Sequence, residues 1–187
     1  MSVVWLHGPL GAGKTTLAHA LRALVHPVAA VALLDEDDVR EAVADATMSW
    51  TVESAMPLAQ LGAMARVLAQ QGLVVIVAAS DVDASLLAWN REHLPGYREV
   101  FLRASPETIE HHARRHKRDD GTATPQVSRP ASTPPRNADL TLDMDNPEPP
   151  ELLAFRVAVL IPEFVVAAAG AAGAGAAAGA QRLRRGA

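Results

Sequence analysis

The sequence predicts a three-layer α/β fold, a five-stranded parallel sheet with helices on both faces. Three observations predict it. Apolar runs of strand length alternate with helix-period patterns from residue 3 to about residue 160. The runs are nearly continuous in apolar residues, as strands covered on both faces are. A glycine-rich turn joins the first run to the first helical pattern, where an α/β sheet keeps its ligand crevice.

The first strand is Val3-Val4-Trp5-Leu6. The turn after it reads Gly8-Pro9-Leu10-Gly11-Ala12-Gly13-Lys14-Thr15-Thr16, the phosphate-binding pattern G-x-x-x-x-G-K-[ST]. Glycines at 8, 11 and 13 let successive backbone N–H groups, with those of Ala12 and Thr16, turn toward phosphate oxygens. Lys14 reaches the β- and γ-phosphates and the Thr15 hydroxyl ligates Mg²⁺. A helix follows, with Leu17, Ala20, Leu21 and Leu24 on one face, and its N-terminus faces the anion. A turn with no ligand is the competing reading, but such a turn does not need a Lys-Thr pair. The whole is the P-loop NTPase arrangement.

Val28 to Leu34 reads as the second strand, ending at Asp35, and 37–46 as a short helix. Pro57 to Gln71 is a longer helix with Leu58, Leu61, Ala65 and Leu68 inward and Gly72 as its stop. Leu73 to Ala79 is the most apolar strand and is expected centrally. A helix over 83–92 and a strand over 97–103 follow. Ser105-Pro106-Glu107 opens a helix running to about Arg118, with an N-cap followed by proline at its first position. Residues 119–136, rich in Pro, Thr and Ser, read as a mobile lid-type loop. Leu140 to Leu142 is a short fifth strand, and 148–160 the last helix. The P-loop domain is thus 1–162, and 163–187 is an Ala/Gly-rich tail. The tail is shorter and less apolar than a membrane span requires, so a membrane role is disfavoured.

A net charge of −4 with interspersed signs gives no nucleic-acid surface. The absence of cysteine agrees with a reducing cytoplasm, and no signal peptide is read at the start. Nothing in the chain fixes oligomeric state, and a homo-oligomer stays open.

At the end of the second strand stand Asp35-Glu36-Asp37-Asp38-Val39-Arg40. Strand ends of a parallel sheet line the crevice, so Asp35 and Asp37 arrive beside the phosphate loop. A carboxylate there accepts a proton from a hydroxyl or holds Mg²⁺ through water. Arg40, one turn along, suits an anionic substrate. Glu36 and Asp38 are read as ordinary acids of a helix N-terminus. Asp81 is open between a metal-organising role and none, and Asp83 is a helix N-cap. Arg114 and Arg115, at the basic end of the helix before the loop, suit closure over transition-state charge, or simply favour a helix C-terminus. His111, His112 and His116 read as a solvated polar face, and His7 as strand-end packing.

With these parts in order, the chain resembles the adenylylsulfate kinase family over roughly residues 3–160. Trp5-Leu6-x-Gly8-x-x-Gly11 through Ala18 is similar to that family's G-L-S-G-A-G-K-T-T-L-A segment. Leu34 to Arg40 is similar to its L-D-G-D-N-V-R segment, and Asp139-Leu140-Thr141-Leu142-Asp143 to its last strand. The resemblance implies ATP and Mg²⁺ and a small-molecule hydroxyl substrate, with adenosine 5′-phosphosulfate as leading acceptor. It implies catalytic and substrate-side roles for Asp35 and Asp37, with Asp37 assisting Thr15 at the metal, and substrate binding for Arg40. Lys14 and Arg114 complete the expected catalytic set, and Arg115 the nucleotide set. The chain departs from the family on the acceptor side. An Arg-x-x-Asn-x-x-Arg segment is replaced by 51–60, which holds neither Arg nor Asn. A Phe-Ile-Ser-Pro strand end is replaced by Ala79-Ser80-Asp81-Val82. A kinase for another hydroxyl compound (sugar, cofactor precursor or antibiotic) and a non-catalytic ATP-binding regulator are the alternatives.

Overall fold

The computed structural model describes residues 1–46, 58–80, 82–120, 135 and 137–170, with the backbone alone for 44–46 and 115–120. Along the chain run β1 (Val3–Gly8), α1 (Lys14–Val25), β2 (Val31–Asp35), α2 (Glu36–Ala46), α3 (Leu58–Gln70) and β3 (Val74–Ser80). Then come α4 (Ala84–His93), β4 (Arg98–Arg103), α5 (Pro106–Asp120), β5 (Leu140–Asp143) and α6 (Pro150–Ala158). The five strands form one parallel sheet in the order β2-β3-β1-β4-β5. The expected fold class is therefore the observed one. The central position belongs to β1, not to the more apolar β3, which lies beside it with partners on both edges. Centrality is set by connection order: the chain goes from β1 out to β2, back to β3, then across β1 to β4 and β5.

Strand alternation sorts the core into two halves. Val4 and Leu6 of β1, with Ile76, Val100 and Leu102, pack under α1 and α6 through Leu17, Leu21 and Val157. Val3 and Trp5, with Val75 and Val77, pack under α3 and α4 through Leu61, Ala65, Leu86 and Leu87. Both faces are covered, which is why the runs lack polar alternation.

The helix faces differ slightly from expectation. On α1 the fully inward residues are Leu17, Ala18, Leu21 and Val25, with Ala20 and Leu24 at the margin. On α3 they are Leu61, Gly62, Ala65 and Ala69, with Leu58 and Leu68 at the margin. β2 begins at Val31, because Val28 and Ala29 still donate their N–H groups to the Val25 carbonyl at the end of α1. Asp83 caps α4 as expected, accepting the Leu86 N–H at 2.8 Å. The Ser85 hydroxyl and that amide hold its carboxyl below the usual range.

The boundary at 162 shifts outward. A further helix, Pro162–Gly170, turns by 96° from α6. Its Phe164 joins the core, and Glu163 accepts the Ser2 hydroxyl at 2.8 Å. Among the described residues no single helix is long and apolar enough to cross a membrane. Most of the stretch read as a lid loop, and the tail from 171, lie outside the described residues.

Candidate active site

Strand β1 delivers the chain to the turn at Gly8, where the backbone has φ 151°. A Cβ at that position would stand 2.3 Å from the Leu102 carbonyl oxygen of β4. Glycine alone fits this close approach. Gly8→Ala is expected to cost about 3 kcal/mol or more, through overlap and backbone strain together. A fall of the unfolding midpoint by about 10 °C checks it, and an unchanged midpoint contradicts it.

Gly11 and Gly13 take left-handed conformations at φ 80° and 88°. Gly13 is the N-cap of α1 and no side chain caps that helix end. A helix N-terminus left open by side chains, behind a turn of glycines, is an anion cradle. Lys14 is buried, and its ammonium donates to the carbonyls of Pro9 at 2.8 Å and Gly8 at 3.3 Å. The loop thus fixes its own cation.

Across the crevice, β2 ends in Asp35, which is 4% exposed. The Thr15 hydroxyl donates to its Oδ2 at 2.8 Å, and the Asp37 backbone N–H donates to its Oδ1 at 3.0 Å. The sequence-predicted Thr15 and Asp35 are therefore brought into contact. The Asp37 side chain is not beside them. Its carboxylate is exposed and accepts from Arg40 at 2.6 Å. Of the two aspartates expected here, it is Asp35 and not Asp37 whose carboxylate meets Thr15, because the first turn of α2 aims the Asp37 side chain outward. Arg40 also donates to Glu36 at 2.5 Å, so the residue expected to bind substrate is paired here with two acids of its own helix. Glu36 is more than a helix-end acid, since its other oxygen accepts the Ser80 N–H at 2.8 Å. It ties the end of β3 to the start of α2.

On α5, Arg114 donates to Glu110 at 3.0 Å on the exposed surface, one helical turn back. Here it makes a surface pair and does not reach the loop. The Arg115 and His116 side chains and Asp81 lie outside the described residues. His112, read from sequence as solvated, instead lies 2.9 Å from the Gly11 carbonyl through Nδ1. Ile109 of the same helix lies 3.5 Å from where a Gly11 Cβ would stand. After β5, Met144 lies 3.4 Å from the corresponding point on Gly13. Asp145 accepts the Ser105 N–H at 2.7 Å and the Thr108 hydroxyl at 2.8 Å. Those bonds hold the Asp145 carboxyl below the usual range.

A buried polar row underlies the loop on the α3/α4 side. His7 sits at the last inward position of β1, its Nε2 3.4 Å from Oε1 of the fully buried Glu99 and its ring tilted against Phe101. Arg91 and the Tyr97 hydroxyl donate to the other Glu99 oxygen. Burial first, then the Glu99 charge, pushes the Tyr97 hydroxyl well up. His7 is thus a packed strand-end residue, as expected, but one set beside a buried carboxylate, with no hydrogen bond between Nε2 and Oε1. Glu99→Gln places an amide against Arg91 and Tyr97 and is expected to cost about 1–3 kcal/mol in urea unfolding. A change below about 0.5 kcal/mol, the ordinary range for surface substitutions, would contradict it.

A glycine cradle at a helix N-terminus, a lysine inside it and a Thr–Asp pair at the neighbouring strand end define a P-loop nucleotide-binding fold. A family model for adenylylsulphate kinase matches residues 1–120. The chain belongs to the adenylylsulphate kinase family. It is 37% identical over 83 residues to an adenylyl-sulfate kinase of Myxococcus xanthus, covering 44% of this chain and 45% of that one. It is 30% identical over 101 residues to a cytidine diphosphoramidate kinase of Campylobacter jejuni, covering 54% and 59%. The matched region spans about half the length of such curated relatives. The fold is similar to that of the Mycobacterium tuberculosis APS kinase CysC in complex with AMPPNP and APS. That likeness has TM-score 0.66 at 23% identity and covers 86% of this chain and 96% of that one.

Proposed function

We propose that this protein is a Mg²⁺-dependent kinase transferring the ATP γ-phosphoryl group to a hydroxyl of a small molecule. The contact that carries the reading is Thr15 to Asp35 at 2.8 Å, across the mouth of the phosphate loop. The donor set there is oxygen only, which fits a hard divalent cation. The glycine turn, the open α1 terminus and Lys14 fit a triphosphate.

In this reading the loop amides of Gly11 and of Gly13 to Thr16 hold the β- and γ-phosphates, while the Ala12 N–H stays on the Pro9 carbonyl. Lys14 neutralises charge on the transferred group. Thr15 and Asp35 would hold Mg²⁺, which would supply positive charge against the charge that develops on transfer. Asp35 also lies where an acceptor hydroxyl is oriented or gives up its proton. Arg40 and Asp37 form a paired rim that an anionic acceptor would reopen. Arg114 and Arg115 act by closure of α5's end, since Arg114 is surface-paired here.

The acceptor proposed first is adenosine 5′-phosphosulfate, on the family and on the Leu34–Arg40 segment. The family's reach over other acceptors supports a second reading. A relative named for a cytidine diphosphoramidate acceptor is 30% identical, close to the 33% of an adenylyl-sulfate kinase from Chloroflexus aurantiacus. The acceptor-side motifs are also replaced in 51–60 and 79–82. The deciding measurement is ADP release from ATP with adenosine 5′-phosphosulfate, then with cytidine diphosphoramidate and a panel of sugars and alcohols. Turnover with the first alone supports the first reading, and turnover with another supports the second. Nucleotide binding without turnover on any acceptor points to a switch protein instead. The lack of cysteine and of any membrane-crossing helix among the described residues accords with work in the cytoplasm.

A further inference from the structure

We infer that His112 is a positioning residue for the nucleotide: from α5 it clamps the peptide plane between Gly11 and Ala12 and so holds the phosphate loop in its receiving shape. The inference rests on the reading of that loop as a triphosphate cradle.

A cradle of amides works only if its peptide planes are held in orientation. This one is built on Gly11 and Gly13, both in left-handed conformations. Glycine adopts these readily, and for the same reason leaves them readily. Something outside the loop has to hold them. The peptide between Gly11 and Ala12 is tied at both ends. Its N–H donates to the Pro9 carbonyl at 3.2 Å, and its carbonyl faces His112 Nδ1 at 2.9 Å. A carbonyl offers no proton, so Nδ1 carries the hydrogen of this bond. Rotating the plane would break both contacts at once. The Pro9 carbonyl that takes the Ala12 N–H also takes the Lys14 ammonium, so the plane and the cation share one anchor.

The clamp needs a rigid support, and α5 supplies it. Asp145 pins the first turn of α5 through Ser105 and Thr108. Ile109 then lies against Gly11, and His112 follows three residues on, on the same helix face. Met144, the residue before Asp145, lies against Gly13. One continuous set of contacts therefore runs from Gly13 through Met144, Asp145 and α5 back to Gly11. Pre-organisation of this kind raises affinity by lowering what ligand binding must order.

The test is calorimetric binding of Mg²⁺–AMPPNP to the full chain. His112→Ala is expected to weaken binding about three- to tenfold, the worth of one hydrogen bond. His112→Asn puts an amide N–H near the place of Nδ1 and is expected to restore affinity to within about twofold of wild type, a rescue that lost packing would not give. His111→Ala, which removes the neighbouring ring at 6.1 Å, is expected to change nothing measurable. Binding by His112→Ala equal to or tighter than wild type, or His112→Asn as weak as His112→Ala, overturns the inference while the triphosphate reading stands. A wild-type chain that binds no Mg²⁺–AMPPNP overturns both.

Discussion

Lys14→Ala is expected to end ATP turnover. The fall in kcat/KM for ATP should be about a thousandfold or more, some 4 kcal/mol of transition-state stabilisation. The size follows from where the ammonium sits. It is buried, and held by the carbonyls of Gly8 and Pro9 inside the turn that would receive the phosphates. In phosphoryl transfer, charge spreads over the equatorial oxygens and little covalent work is left to the protein, so a fixed cation is a large part of catalysis. Lys14→Arg is not expected to rescue it, because a planar guanidinium cannot take the place of a compact ammonium between two carbonyls. Lys14→Ala also removes the ammonium from those two carbonyls, and Pro9 keeps only the Ala12 N–H, so nucleotide affinity should fall as well. ADP release and Mg²⁺–AMPPNP binding, with a thermal melt to show the chain still folded, are the measurements. A folded Lys14→Ala protein turning over within tenfold of wild type would remove the lysine from the reaction and with it the main support for a kinase.

Much of this site was legible in the sequence, and for a physical reason. The phosphate loop is a local structure, written in consecutive residues whose conformations need glycine and whose chemistry needs Lys and Thr. The strand that ends at Asp35 was legible because a parallel sheet sends its carboxyl ends to one side. What was not legible depends on distant packing. No periodicity says that Asp37 turns to Arg40 while Asp35 meets Thr15 twenty positions away. His112 could not be separated from His111 by pattern, since both stand in a polar helix. It reaches Gly11 across 101 positions only because Asp145 fixes where α5 starts. Glu99 stands in an apolar strand, and its burial depends on Arg91 and Tyr97 arriving from α4 and the turn after it. The order of β1 and β3 was likewise a matter of connection, not of hydropathy.

Asp35→Asn is expected to spare nucleotide binding and stop transfer. The amide is the same shape as the carboxylate, and each of its ends finds a partner. One oxygen still accepts the Asp37 N–H, and the new NH₂ can donate to the Thr15 hydroxyl oxygen where the acid accepted from it. Folding and Mg²⁺–AMPPNP affinity at saturating Mg²⁺ should therefore stay within about threefold, at most the worth of a single hydrogen bond. Transfer should fall by about a hundred- to ten-thousandfold, the range for removal of a positioned proton acceptor or a fixed transition-state charge. The Mg²⁺ dependence then separates the two jobs. If Asp35 holds the cation with Thr15, the Mg²⁺ concentration for half-maximal rate rises in Asp35→Asn. If it acts on the acceptor's proton, the Mg²⁺ midpoint stays and only the rate of transfer falls. The contact at 2.8 Å favours the first, and it makes a further demand. Two residues that serve one cation lose their function together, so Thr15→Ala in the Asp35→Asn background should cost far less than Thr15→Ala alone. Additive losses would separate the pair, and a single Asp35→Asn rate within a few-fold of wild type would take Asp35 out of the reaction altogether.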